Sequence, residues 1–275
     1  MSPDELGPFL QVNRARWDEL VEHHAGSEHY DVEGFKAGKL PLRDYEIADV
    51  GDVTGKKLLH LQCHFGLDTL GWARLGATVT GADFSDKAIS LAKQIAAETK
   101  LEATFVCADI NSLPDVLEGS FDVVYTSRGV INWLPDLRRW GQVIAHFLEP
   151  GGFFYITEGH PVLQIFDDQS EEPGLRLRYP YFFRDQPDAL LVPGTYAAPE
   201  AHVKNLLEFG WSHSMGEIVT SLAAAGLHIE FLREDAEGEW PRPFLEPTDG
   251  RTWRLPPEQG ELPLWFSLKA SKHKD

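Results

Sequence analysis

Cysteine is nearly absent from this chain of 275 residues, which holds only Cys63 and Cys107. A single pair cannot staple a fold of this size, so a disulfide framework is excluded, and a reduced, cytoplasmic setting is expected. Positive charge is also short: 25 Lys and Arg face 43 Asp and Glu, for a formal net charge of -18. A surface so acidic repels a phosphate backbone, and no basic patch of useful length interrupts it, so nucleic acid is not an expected partner. No apolar run approaches the ~20 residues of a membrane span. The start, MSPDELGPFL, has neither the basic opening nor the apolar core of an export signal. No segment repeats. The length suits one well-buried α/β domain with additions.

Glycine is short where a nucleotide fold would use it. The segment KKLLHLQCHFGLDTLGWARLGATVTGAD, Lys56 to Asp83, reads as an apolar strand, a tight turn, a helix, a second strand and then an acid. Dinucleotide folds place three glycines after the first strand, for the turn, for approach of a pyrophosphate, and for helix packing. Here only Gly66 remains, with Gln62 and His64 standing where glycines would come first. Side chains at those places crowd a pyrophosphate but not a cofactor without one. Asp83, ending the second strand, can accept hydrogen bonds from both hydroxyls of a ribose. The half-unit therefore suits a nucleoside better than a dinucleotide.

The alternation continues. Strands are expected at Lys57 to Leu61, Thr78 to Ala82, Ala103 to Val106 and Phe121 to Tyr125, and a fifth follows the turn Pro150-Gly151-Gly152. Helices are expected over Leu67 to Leu75, Asp86 to Glu98 with Ser85 as cap, and Asp136 to Leu148. With the acids Asp83 and Asp109 in order, residues 56 to 160 resemble the class I S-adenosylmethionine-dependent methyltransferases, and LHLQCHFG resembles the first motif of one of their subgroups. His60 stands where that family usually has an acid.

The resemblance implies a doubly wound, mostly parallel seven-stranded α/β sheet with an antiparallel last strand, and S-adenosyl-L-methionine as cofactor. It implies Asp83 on the ribose and Asp109 with Ile110 on the adenine edge. Phe84 lies on an adenine face or in the core. Gln62, Cys63 and Gly66 lie against the methionine part and ribose, joined by Ser127 and Arg128. The Arg128 fork matches the methionine carboxylate or makes a surface ion pair. His64 is either near the sulfonium or structural. His60, Cys63 and His64 span a strand and a turn, where side chains alternate in direction, so no metal is expected.

Around this core, residues 1–55 read as a helical cap, with a helix over 11–24, and Tyr30 and Phe35 either fold over the cofactor or pack on the sheet. Residues 161–210 are broken by Pro161, Pro173, Pro180, Pro187, Pro193 and Pro199, which forbid a continuous helix, and they read as an insertion or lid after strand 5. Residues 211–275 supply a helix over Ser214 to Ala225, closing strands over Ile229 to Glu234 and Leu264 to Ala270, and a long loop between those strands. Tyr30, Asn132, Trp133 and Trp211 are expected to face the acceptor. His160 is a candidate base, with Glu158 to orient it. The expected activity is methyl transfer to a small, partly apolar molecule, carried mainly by alignment. A non-catalytic S-adenosylmethionine-binding relative and an NAD-dependent oxidoreductase are the competing readings.

Overall fold

In the computed structural model, which describes residues 3–169, 174–248 and 252–274, the centre is one sheet. Its strands are β1 (Lys57–Leu61), β2 (Thr78–Asp83), β3 (Ala103–Cys107), β4 (Phe121–Ser127), β5 (Leu148–Gly159), β8 (Leu227–Asp235) and β11 (Trp265–Lys272). They lie in the order β3-β2-β1-β4-β5-β11-β8. The pairs from β3 across to β5 are parallel, while β11 runs antiparallel to both neighbours. This is the doubly wound architecture expected from the alternating pattern. The order reverses between β1 and β4, which is where an open α/β sheet opens a ligand crevice at its strand carboxyl ends.

The helices form where caps and apolar spacing agree. In α5 (Asp86–Thr99) the Ser85 hydroxyl accepts from the Ala88 N–H at 3.1 Å, and Ala88, Ile89, Ala92, Ile95 and Ala96 make the buried stripe. In α6 (Leu137–Phe147) the Asp136 carboxylate caps the Arg138 and Arg139 N–H groups, and Leu137, Trp140, Ile144 and Phe147 face the sheet. The remaining core helices are α4 (Leu67–Arg74) and α7 (Met215–Ala224).

Three helices precede the sheet: α1 (Pro3–Ala25), α2 (Val32–Lys36) and α3 (Asp44–Val50). Helix α1 starts earlier than its apolar spacing suggested and runs through Pro8, whose missing N–H gives up one bond of the helical ladder. Phe35 is a core residue: it is buried against Val21, Cys63, Phe65 and Leu67 rather than lying over a cofactor.

The proline-rich stretch after β5 forms only short pieces, among them an antiparallel pair, β6 (Asp188–Leu191) and β7 (Leu207–Gly210). Helix α1 is clamped to β7. The Asn13 amide donates to the Phe209 carbonyl and accepts from the Phe209 N–H, both at 2.8 Å, as an extra strand residue would. Arg16 adds an ion pair to Glu208 at 2.7 Å. The loop before β11 holds the two-residue strands β9 (Glu246–Pro247) and β10 (Trp253–Arg254), and its Trp240 packs edge-on against Trp265 at 4.9 Å.

Candidate functional site

Two cavities meet at the carboxyl ends of β1, β2 and β4. The first is lined by Gln62, Asp83, Phe84, Asp109 and Ile110 from the strand ends, with Leu10 and Asn13 of α1 and Trp133 and Leu134 closing it. Asp83 is 7 % exposed, so the acid faces this wall rather than bulk water. One carboxylate oxygen accepts from the His64 N–H at 2.8 Å and the other from the Ser85 N–H at 2.9 Å. Each oxygen keeps a lone pair for a ribose hydroxyl. Burial pushes Asp83 up to about 6, against the pull of those two N–H groups. Asp109 accepts from the Asn111 N–H through Oδ1, which leaves Oδ2 for the amino group of an adenine.

The first loop keeps its glycine-type backbone without the glycines. Gln62 and His64 have φ of 57° and 50°, beside Gly66 at 75°. At Gly66 a side chain would also strike Phe105, whose ring lies 2.6 Å from a built Cβ. The Gln62 amide donates to the Val130 carbonyl at 3.2 Å, while its Oε1 is buried at the cavity wall without a partner. An orphaned acceptor there fits the amino group of a methionine. The residues thus fit an S-adenosyl nucleoside, although the free space is about 40 Å³. That is well below the ~300 Å³ of small-ligand pockets, with Leu10 and Asn13 of α1 among the residues that close it.

Several expected contacts are replaced by structural ones. The Cys63 N–H donates to Ala82, and its carbonyl accepts the Gly66 N–H, so neither backbone group faces the cavity. The His64 ring turns away from it and packs among Trp17, His24, Tyr30 and Phe65. The Arg128 fork is occupied: Glu46 takes one end nitrogen, Asp68 takes the other at 3.1 Å, and Glu239 lies 3.4 Å from Nε. It is therefore not free for a methionine carboxylate. The Ser127 hydroxyl donates to the same Asp68 at 3.0 Å. His60 is held between Thr69 and Ser127 and burial pushes it down to about 4. Among the described residues no cluster of His, Cys, Asp and Glu has the makings of a metal site, and no helix is long and apolar enough to cross a membrane.

The second cavity holds about 640 Å³ and shares Trp133 with the first. Asn132, Trp133 and Trp211 line it, together with Trp17, Phe166, Tyr179, Tyr181 and Tyr196. Tyr30 sits at its edge through a hydroxyl contact to Tyr196. The base hypothesis fails on geometry. The buried Glu158 accepts from the Gly129, Val130 and Gly159 N–H groups, all at 2.7 Å, and so shapes the loop after β4 instead of orienting an imidazole. His160 bonds to Glu234 at 2.9 Å and accepts from the Val162 N–H, and it does not line the cavity. Leu10, Asn13 and Trp17 were missed by sequence reasoning. Their i, i+3, i+7 spacing placed them on one face of α1, but spacing alone does not reveal that this face lines the two cavities.

Residues 59–156 match the family model described as a methyltransferase domain. The ubiquinone biosynthesis O-methyltransferase of Nitrosococcus oceani is 29 % identical over 179 residues, 64 % of this chain and 71 % of that one. Its counterpart in Shewanella pealeana is 30 % identical over 160 residues, 57 % of this chain and 62 % of that one. In Alkalilimnicola ehrlichii the match is 34 % over 113 residues and spans only 45 % of the relative. Among solved structures, an S-adenosylmethionine-dependent methyltransferase from Mesorhizobium loti superposes with a TM-score of 0.58 at 22 % identity, covering 86 % of this chain and all of that one. Another from Methanosarcina mazei gives 0.56 at 19 % identity, covering 85 % of this chain and 99 % of that one. At those identities the likeness is one of fold.

Proposed function

Taking residues 59–156 as a methyltransferase domain of the class I S-adenosylmethionine-dependent kind, we propose that the chain methylates a small, largely apolar acceptor held in the larger cavity. Bound in the smaller one, S-adenosylmethionine supplies a methyl carbon made electrophilic by its sulfonium. Asp83 holds the ribose, Asp109 and Phe84 the adenine, and Gln62 the amino group. The observation that carries this reading is Trp133. Its indole N–H donates to the Gly129 carbonyl at 2.7 Å, which fixes the ring as the wall common to both cavities. Donor and acceptor therefore meet beside one rigid side chain, and alignment of this kind provides much of the rate in a displacement whose leaving group is already activated. Helix α1 and the stretch after β5 supply walls of the larger cavity.

With Glu158 and His160 both committed elsewhere, the acceptor's own proton leaves to solvent. S-adenosylmethionine and a panel of phenols, amines and carboxylic acids test the reading through release of S-adenosylhomocysteine. Release with at least one acceptor, lost in Asp83→Ala, is expected. Binding of S-adenosylhomocysteine without turnover of any acceptor would favour a non-catalytic binding protein, and heat on titration with NAD would favour an oxidoreductase.

A further inference from the structure

The larger cavity has two cationic side chains in its wall, Arg16 and Arg242. Arg16 is fully used: it donates to Glu208 and to the Asn205 carbonyl at 2.7 Å each, and to the Gly194 carbonyl at 3.1 Å. Arg242 is not. Among the described residues its partners are the Gln164 amide oxygen at 3.5 Å and Asp168 at 4.0 Å, both at the limit of contact. Its side chain is 22 % exposed, and burial lowers it from the usual arginine value while leaving it cationic. A guanidinium with five donors in a sheltered wall is ordinarily paired.

Among the described residues, the other acids of the same wall are engaged elsewhere. Glu158 is capped by backbone N–H groups, Glu208 is spent on Arg16, and Asp188 on Arg184. Asp168 is shared with the Tyr179 hydroxyl at 3.3 Å. Among the described residues the wall thus offers one guanidinium held only by long contacts, around an aromatic interior.

Resting on the methyl-transfer reading, we propose that the acceptor is an apolar, ring-bearing carboxylic acid whose carboxylate is recognised by Arg242. A planar fork matches a carboxylate with two parallel hydrogen bonds. A doubly charged phosphate fits less well, because Asp168 beside the fork repels a dianion more strongly than a monoanion. Arg242 anchors the acceptor and takes no part in moving the methyl group or a proton.

Calorimetric titration of 2-naphthoate and 2-naphthamide, alike in shape but not in charge, tests this on the full chain with and without S-adenosylhomocysteine. The wild-type protein should bind the acid roughly ten to a hundred times more tightly than the amide, as expected of charge-assisted pairing. Arg242→Gln should abolish that preference with amide binding unchanged, and Arg242→Lys should keep part of it. Unchanged affinity of both variants for S-adenosylhomocysteine shows that they fold. Equal binding of acid and amide to the wild-type protein, no binding of either, or an acid preference that survives Arg242→Gln would overturn the proposal. Failure of the wild-type protein to bind S-adenosylhomocysteine would instead remove the methyl-transfer reading and leave the acid preference standing.

Discussion

His24 Nδ1 lies 2.9 Å from His64 Nε2, and the other nitrogen of His24 lies 2.6 Å from the Thr195 hydroxyl. The first cofactor loop, helix α1 and the stretch after β5 are therefore joined in one buried hydrogen-bonded chain. Burial pushes His24 down to about 3, and His64 well below its ordinary value, so both rings are neutral. Replacing His24 with Ala should cost about 1–3 kcal/mol, since it leaves buried partners unpaired, and urea unfolding measures it. In the unfolded chain these rings take up protons near 6.5, and in the folded chain only at lower pH. Their contribution is full above about 6.5 and is lost as pH falls, at up to about 1.4 kcal/mol per pH unit for each ring. His24→Ala should flatten that slope between pH 6.5 and 5. An unaltered slope would mean that His24 is protonated as freely in the fold as outside it.

The pH dependence of cofactor binding should follow Asp83, which burial raises to about 6. Ribose hydroxyls donate to the ionised carboxylate and favour it. Affinity for S-adenosylhomocysteine should then be level above about pH 7 and fall by up to about tenfold per unit below 6. The sign for the unliganded fold is opposite. Between the ordinary value of 3.8 and about 6 the native acid holds a proton that the unfolded one has lost, so this group's contribution to stability declines as pH rises through that window. Asp83→Ala should weaken S-adenosylhomocysteine binding by at least about tenfold and remove its dependence on pH near 6. Binding that keeps that dependence would assign it to another group.

The sheet could be read because its signals are local. Ser85, Asp136 and Ser214 cap their helices, the apolar runs alternate with them, and Gly226 ends the last helix with φ of 85°. Asp83, which ends β2, and Asp109, two residues beyond β3, both line the first cavity, because strand ends open there. Arg128 was not legible in the sequence. Its partners Glu46, Asp68 and Glu239 come from three distant segments, and no spacing along the chain brings them together. The wall of the larger cavity shows in the sequence only as an aromatic surplus. Arg242 lies in a loop with no periodicity, and its long contacts to Gln164 and Asp168 come from segments that no spacing along the chain brings together.

Gly81, in the middle of β2, has no turn to make, yet a side chain there is excluded. A Cβ would lie 2.8 Å from the Phe105 ring and 2.9 Å from the Cys63 sulfur. Gly81→Ala should therefore destabilise the protein by about 1–3 kcal/mol through overpacking. Phe105→Leu in the same chain should recover part of the loss, and a double-mutant cycle by thermal or urea unfolding would show the two changes to be less than additive in cost. Strict additivity would mean that Phe105 is not the obstacle.

Gln62 poses a choice between backbone comfort and a ligand contact. Its φ of 57° costs a residue with a Cβ about 1 kcal/mol that glycine does not pay. The compensation within the protein is one hydrogen bond to Val130 at 3.2 Å, while Oε1 remains buried and unpaired. If the side chain served only the fold, Gln62→Gly would be nearly neutral in stability and would widen the cavity, so S-adenosylhomocysteine should bind as well or better. If Oε1 accepts from the amino group of the methionine part, the same variant should change stability by less than about 1 kcal/mol yet weaken S-adenosylhomocysteine binding by about tenfold. The second outcome is expected. Adenosine offers the control, because it lacks the methionine part: its affinity should be unaltered in Gln62→Gly, and an equal loss for both ligands would place the effect on the shape of the loop rather than on the amide.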